Sequence, residues 1–438
     1  MQKTLDTKIA NIHADPHGAK DFILADAKDA DMAFGIGAPG QSPESHAGEA
    51  RQKTLAEYRD QIRQIINQEL VDIMLMSAST NDLLTIQERL FDNSPITPAA
   101  RANDASDVFV VRGAKYLEAS AQPFRTATLD HIQCGHVDCE PEERFHGANL
   151  GLYSVTFNNR LDDDLRTLEE YRRFRIEAEQ KGFRHFLEIF NPNAPHGLSP
   201  EMIPDFVNDH IARTLAGVAE KGRPVFLKMV YQGPRAMEDL VSYDPHLVVG
   251  ILGGSSGTTL DAFKLLAEAK KYGARAALFG RKINNSECQL AFVQFLRMLA
   301  DGEIEPEEAV RAYHGVLQKL KIRPWRSLEE DMQLQTAVMS YASGGQVAVP
   351  AGVPVAAEES TNGAAGASAD RPAGAVKKKD CGCGCNGAPG GCGDKKKDSS
   401  SAGLVYDPKN PPDFSKMSQA EKLAYNKAKR DHIYGEIS

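Results

Sequence analysis

The sequence predicts an α/β protein built on a closed (β/α)8 barrel, and three observations lead there. Short apolar, β-branched runs alternate with longer helical patterns over residues 1–343. That alternation produces a parallel sheet covered by helices. The last two strand-to-helix turns are rich in glycine, as they are where the closing loops of a barrel hold an anion. A lysine interrupts one of the most apolar runs, and a buried ammonium group is costly enough to need a reason.

The strands follow in order. Phe22–Asp26, Val71–Ser77, Ile96–Asn103, Leu150–Phe157 and Phe183–Phe190 are the first five, and the runs around Lys228, Val249 and Ala277 complete eight. Between them, Leu55–Leu70 and Leu165–Lys181 carry Arg, Glu and Gln on one face, the pattern of helices lying on a sheet. The segment Phe124–Cys139 fits no single strand–helix unit. It reads as an inserted hairpin or as a strand out of place.

Lys228 lies within Val225, Phe226, Leu227, Met229, Val230 and Tyr231, bounded by Pro224 and Gly233. Burial lowers a lysine pKa and yields a neutral amine able to attack a carbonyl. The next strand, Leu247–Leu252, runs into Gly253, Gly254 and Ser255, and a helix follows. Thr258 or Thr259 is its expected N-cap, with Asp261 in the first turn. The eighth strand, Ala274–Phe279, ends in Gly280 and Arg281. Glycines let backbone N–H groups approach an anion, and a helix N-terminus adds partial positive charge. Gly253, Gly254, Ser255, Gly280 and Arg281 therefore form two halves of an expected phosphate cup. Glu188, within Phe186, Leu187, Ile189 and Phe190, needs a raised pKa or a cationic partner.

The stretch from Phe183 to Lys321 resembles the class I aldolases of the archaeal-type fructose-bisphosphate aldolase and deoxyribose-phosphate aldolase superfamily, which are TIM barrels. The resemblance implies that Lys228 forms a Schiff base with a phosphorylated, sugar-like carbonyl compound, with no cofactor required. It also implies that the two glycine turns bind the phosphate and that Tyr153, on the fourth strand, serves as acid or base. Asp26 is the nearest equivalent of an aspartate that ends the family's first strand. That strand usually leads into an Asp-His-Gly-type turn, whereas this chain reads Asp26, Ala27, Lys28, Asp29, Ala30, Asp31. Lys28 is a rival amine, disfavoured because the aspartates around it should raise its pKa.

Other groups point elsewhere. His131, Cys134, His136, Asp138, Cys139 and His146 fall close together and suggest an alternative, a metal-dependent lyase. Residues 344–405 are rich in Gly, Ala, Ser and Pro, which predicts disorder. Within them, Cys381, Cys383, Cys385 and Cys392 lie between two Lys-Lys-Lys runs and are candidate ligands for zinc or another thiophilic metal. A barrel without chemistry, acting as a scaffold through this tail, is a further alternative. Residues 406–438 open extended and Pro-rich, then Ser418 and Glu421 form a capping box that starts a short C-terminal helix. A net charge of −9 with 25% charged residues gives no sign of a nucleic-acid partner. No apolar run is long enough to span a membrane, and the seven cysteines are not spaced as a disulfide framework. A cytoplasmic homo-oligomer is expected.

Overall fold

A computed structural model describes residues 1–40, 52–108, 111, 113–254, 257–336, 338–340, 346–348, 412 and 425. Eight parallel strands close into a barrel: β1 (Ile23–Lys28), β2 (Ile73–Met76), β3 (Thr97–Arg101), β4 (Leu150–Thr156), β5 (Arg184–Phe190), β6 (Leu227–Met229), β7 (Val249–Leu252) and β8 (Ala276–Phe279). Each strand pairs with its neighbours in sequence, and β8 returns to β1 through Ile23 opposite Ala276. Every run singled out in the sequence is a barrel strand, with ends moved by a few residues.

The helices that cover the barrel include α1 (Thr4–Ala14), α2 (Leu55–Gln68), α3 (Leu161–Gln180), α4 (Ile203–Ala216), α5 (Pro234–Tyr243), α6 (Thr259–Lys271), α7 (Gln289–Asp301) and α8 (Pro306–Lys319). Two start on capping boxes: Thr54 with Glu57 opens α2, and Thr258 with Asp261 opens α6. Such a cap satisfies amides that the first helical turn leaves without partners.

Side-chain alternation separates two cores. Ile23, Ala25, Ala27, Leu152, Phe186, Phe226 and Leu278 belong to a cluster made of alternate strand positions together with Leu5 and Ile12 of α1. This is the barrel interior, with α1 closing the end where the strands begin. Leu24, Met74, Tyr153, Leu187 and Phe279 belong to a second cluster that includes residues of the covering helices. Inside the barrel, the rings of Phe186 and Phe226 stack at 4.5 Å, and burying each contributes about 1.5–3 kcal/mol. One step further along the same face of their strands come Glu188 and Lys228, so the stacked rings floor the polar end.

The segment that fitted no single unit resolves into two parts. Pro123–Phe124 pairs antiparallel with Asp104–Ala105, and a short helix, Leu129–Cys134, follows. It is an excursion between β3 and β4, not a ninth barrel strand. Of residues 344–438, only a few are described, and Cys381, Cys383, Cys385 and Cys392 lie outside them. Tyr425, within the expected C-terminal helix, is helical and buried. Among the described residues, no helix is long and apolar enough to cross a membrane.

Candidate active site

Register places one polar layer at the C-terminal end of the barrel interior. Ser154 on β4, Glu188 on β5 and Lys228 on β6 are direct cross-strand partners. All three are buried. The Lys228 Nζ lies 2.6 Å from Glu188 Oε1, and Ser154 donates its hydroxyl to the other oxygen of Glu188 at 2.6 Å. Arg101, at the end of β3, lies 3.6 Å from that same oxygen and donates to Ser154 at 3.2 Å. Its Nε donates to Asp29 at 2.7 Å.

Two cations and two carboxylates thus share one buried network, and its formal charge sums to zero. That balance lets four ionisable groups occupy a barrel interior, since an unpaired buried charge costs several kcal/mol. Just beyond it, Thr156 donates to Asp107 at 2.6 Å, and burial pushes the Asp107 carboxyl up to about 6.

The glycine turns face the same space. Gly253, Gly254, Gly280 and Arg281 line a small cavity of about 40 Å³ together with Lys228, Arg101 and Asp29. Gly254 has φ +62°, a left-handed conformation that favours glycine. At Gly280 a Cβ would fall 2.4 Å from the Ala27 carbonyl oxygen, so only glycine lets the β8 turn pass this close to β1. The cavity has room for little more than one water. Phe34 also lines it and stacks under the Arg281 guanidinium at 4.9 Å. Ser255 lies outside the described residues. The N-terminus of α6 is not open to an anion, because Thr259 N–H already donates to Asp331 at 2.8 Å.

Three candidates from the sequence point away from this mouth. Tyr153 neighbours Ser154, so its side chain faces the opposite side of β4. Its ring stacks on Phe174 of α3 at 4.4 Å and lies 5.2 Å from Tyr171, and burial raises its pKa. It is a core aromatic between strand and helix, not an acid or base at Lys228. Asp26 lies inside β1, not at its end, and also faces outward. It contacts Lys28 at 3.2 Å, and neither of its carboxylate oxygens has a hydrogen-bond partner among the described residues.

Lys28 is fully buried on that outer face, where Asn284 and Gln289 accept from its ammonium. Burial outweighs Asp26, so its pKa is lowered, not raised. The rival amine points away from the glycine turns, whatever the charges of its neighbours.

The His/Cys segment also differs from expectation. Cys134, Cys139 and Glu143 converge with ligand atoms within 4.8 Å of one another. His131 is bound to Thr128, and His136 to the Val137 carbonyl and Glu143. Burial and the neighbouring Cys134 push the Cys139 thiol up to about 12. Gln133, on the helix that carries Cys134, bonds Asn149 and the Lys181 carbonyl, which precede β4 and β5. The cluster is therefore at the N-terminal end of the barrel, opposite Lys228.

Sequence reasoning missed Asp29, Arg101 and Ser154. The signal was parity: Ala25, Ala27 and Asp29 alternate on one face, as do Leu152, Ser154 and Thr156. Counting by twos from the interior residues would have selected Asp29 over Asp26 and Ser154 over Tyr153.

No family model matches the chain, and no curated protein matches it. Among solved structures it is similar to an archaeal fructose 1,6-bisphosphate aldolase, at 16% identity over 68% of this chain and 100% of that chain, with a TM-score of 0.47. It is similar also to the fructose-bisphosphate aldolase from Slackia heliotrinireducens, at 13% identity over 71% of this chain and 91% of that one, with a TM-score of 0.49. A third is the N-acetylneuraminate lyase from Fusobacterium nucleatum complexed with pyruvate, at 11% identity, 69% and 81% coverage, and a TM-score of 0.36.

Proposed function

We propose that the protein is a Schiff-base lyase, of the class I aldolase type, which makes or breaks a C–C bond next to a carbonyl group through Lys228. One observation carries the reading: a lysine amine inside the C-terminal mouth of the barrel, 2.6 Å from a carboxylate and in one cavity with two glycine turns and an arginine.

Glu188 accepts a proton from Lys228 and leaves a neutral amine. The neutral amine adds to the substrate carbonyl. Glu188 then returns its proton to the carbinolamine hydroxyl, which leaves as water and gives an iminium ion. A base removes the proton of the substrate hydroxyl, the C–C bond breaks, and its electron pair moves to the iminium nitrogen, forming an enamine and releasing an aldehyde. Glu188, now ionised, and Asp29 are the carboxylates nearest this point. Protonation of the enamine carbon and readdition of water release the second product. Arg101 holds Asp29 and Ser154 in place.

The substrate carries an anionic group, most simply a phosphate, which Gly253, Gly254, Gly280 and Arg281 accommodate. The cavity lining, which includes Phe34 at the end of the short helix Asp31–Phe34, has to open for substrate, because the present cavity is smaller than any sugar phosphate.

Borohydride reduction in the presence of dihydroxyacetone phosphate tests the proposal. The expected result is an adduct mapped by mass to the Lys228 peptide and absent from Lys228→Met. An adduct on Lys28, or none with any of a panel of phosphorylated ketones and aldehydes, overturns it.

A further inference from the structure

A second cavity, of about 1060 Å³, opens in the helix layer and shares no lining residue with the cavity at Lys228. Its floor abuts the outer face of β1: Asn284 and Gln289 line it and hold the buried Lys28 from below. Two further lysines face it. Lys53 and Lys282 are only 8% and 9% exposed. Each makes a single hydrogen bond, and each to a backbone carbonyl: Lys53 to Asn284 at 2.9 Å and Lys282 to Gly257 at 2.7 Å. Neither has a carboxylate within ion-pair range among the described residues. Arg326 lines the same space and adds to the positive potential at Lys282.

The acids of this cavity are already committed. Glu287 accepts from Trp325 N–H at 2.7 Å and from the Tyr313 hydroxyl at 2.9 Å. Asp331 accepts from Thr259 N–H at 2.8 Å and pairs with His314 at 3.0 Å. Asp261, which also acts on Lys282, is held in the α6 cap. Burial leaves both lysines strained as cations, and pushes each down to about 8, Lys53 with help from the Lys28 charge and Lys282 with help from Arg326. Nearly buried ammonium groups with no carboxylate in contact are rare because their desolvation is only partly compensated, and here the nearest acids, Glu57 for Lys53 and Asp331, Asp261 and Glu287 for Lys282, act only from a distance. Two of them facing one roomy cavity mark a place for an anion.

We infer that this cleft is a second ligand site, separate from the reaction centre, that binds a phosphate-bearing small molecule between Lys53, Lys282 and Arg326. The amide side chains of Gln61, Gln64 and Asn285 on the same walls suit a ligand whose remainder is hydroxylated. Anion binding in this cleft is independent of Schiff-base formation at Lys228.

Competitive acetylation of the full chain, quantified peptide by peptide, tests it with inorganic phosphate as the probe. Phosphate is expected to slow acetylation of Lys53 and Lys282 severalfold while leaving exposed Lys221 and Lys319 unchanged. Titration calorimetry supplies a second readout. Lys282→Met removes the charge but keeps the chain length, so the fold is preserved, and it is expected to weaken one phosphate-binding event about tenfold, the loss of one charge-assisted hydrogen bond. Phosphate that protects only Lys228, or a Lys282→Met variant that titrates like the parent, overturns the site.

Discussion

At the scale of the residue, the reading turns on how a buried lysine loses its proton. Desolvation favours the neutral form, but the ammonium of Lys228 also has an acceptor in contact, Glu188. A carboxylate so placed stabilises the resting cation and, in the proposed reaction, takes its proton. Glu188→Gln keeps the volume and removes the acceptor. It is expected to lower kcat by about 10²–10⁴-fold, the range of a positioned acid–base group. A variant within twofold of the parent would remove Glu188 from the chemistry. Tyr153→Phe provides the contrast. Because that ring lies against Phe174 and Tyr171, the variant is expected to leave kcat unchanged, and steady-state rates on the same substrate check this.

At the scale of the element, the seam between β5 and α3 couples a buried imidazole to a phenol. His185, just inside β5, lies 2.8 Å from the Tyr171 hydroxyl of α3 and packs edge-on against Phe174. Burial pushes His185 down to about 3, with Arg175 adding to the shift. The unfolded chain therefore binds this proton more readily than the folded one. The stability tied to His185 is complete above the unfolded pKa of about 6.5 and is lost as pH falls toward 3. Two pH units below 6.5, the loss is about 2–3 kcal/mol. Chemical denaturation at pH 7 and pH 4.5 is expected to show that loss in the parent and to show it largely absent in His185→Gln. Equal losses in both proteins would place the acid sensitivity elsewhere.

At the scale of the whole molecule, every residue of the proposed centre comes from β1, β3, β4, β5 and β6 or from the turns after β1, β7 and β8. The chemistry is therefore assembled by barrel closure, which brings residues as distant in sequence as Asp29 and Arg281 into one cavity. A fragment of residues 1–343 is expected to fold cooperatively and still to form the reducible Lys228 adduct. Loss of the buried Tyr425 contact removes about 1.5–3 kcal/mol of stability. Mass spectrometry after borohydride treatment, alongside thermal unfolding, checks both. A fragment that folds but forms no adduct would give the missing residues a part in the chemistry.

The sequence by itself determined the eight strands, the cap at Thr258, a lysine inside the sixth strand and the glycine turns after the last two. Those features are written in local patterns: apolar runs, cap residues at fixed offsets, and a charge where none is expected. Which way each polar side chain points was decided only by the tertiary structure. In a strand the two faces differ by a single residue, so Tyr153 and Ser154, or Asp26 and Asp29, are equivalent until the barrel has an inside. Pairing Glu188 with Lys228, joining Arg101 to Asp29, and setting Lys53 and Lys282 around one cleft all depend on cross-strand register and helix packing. No local stretch of chain encodes them.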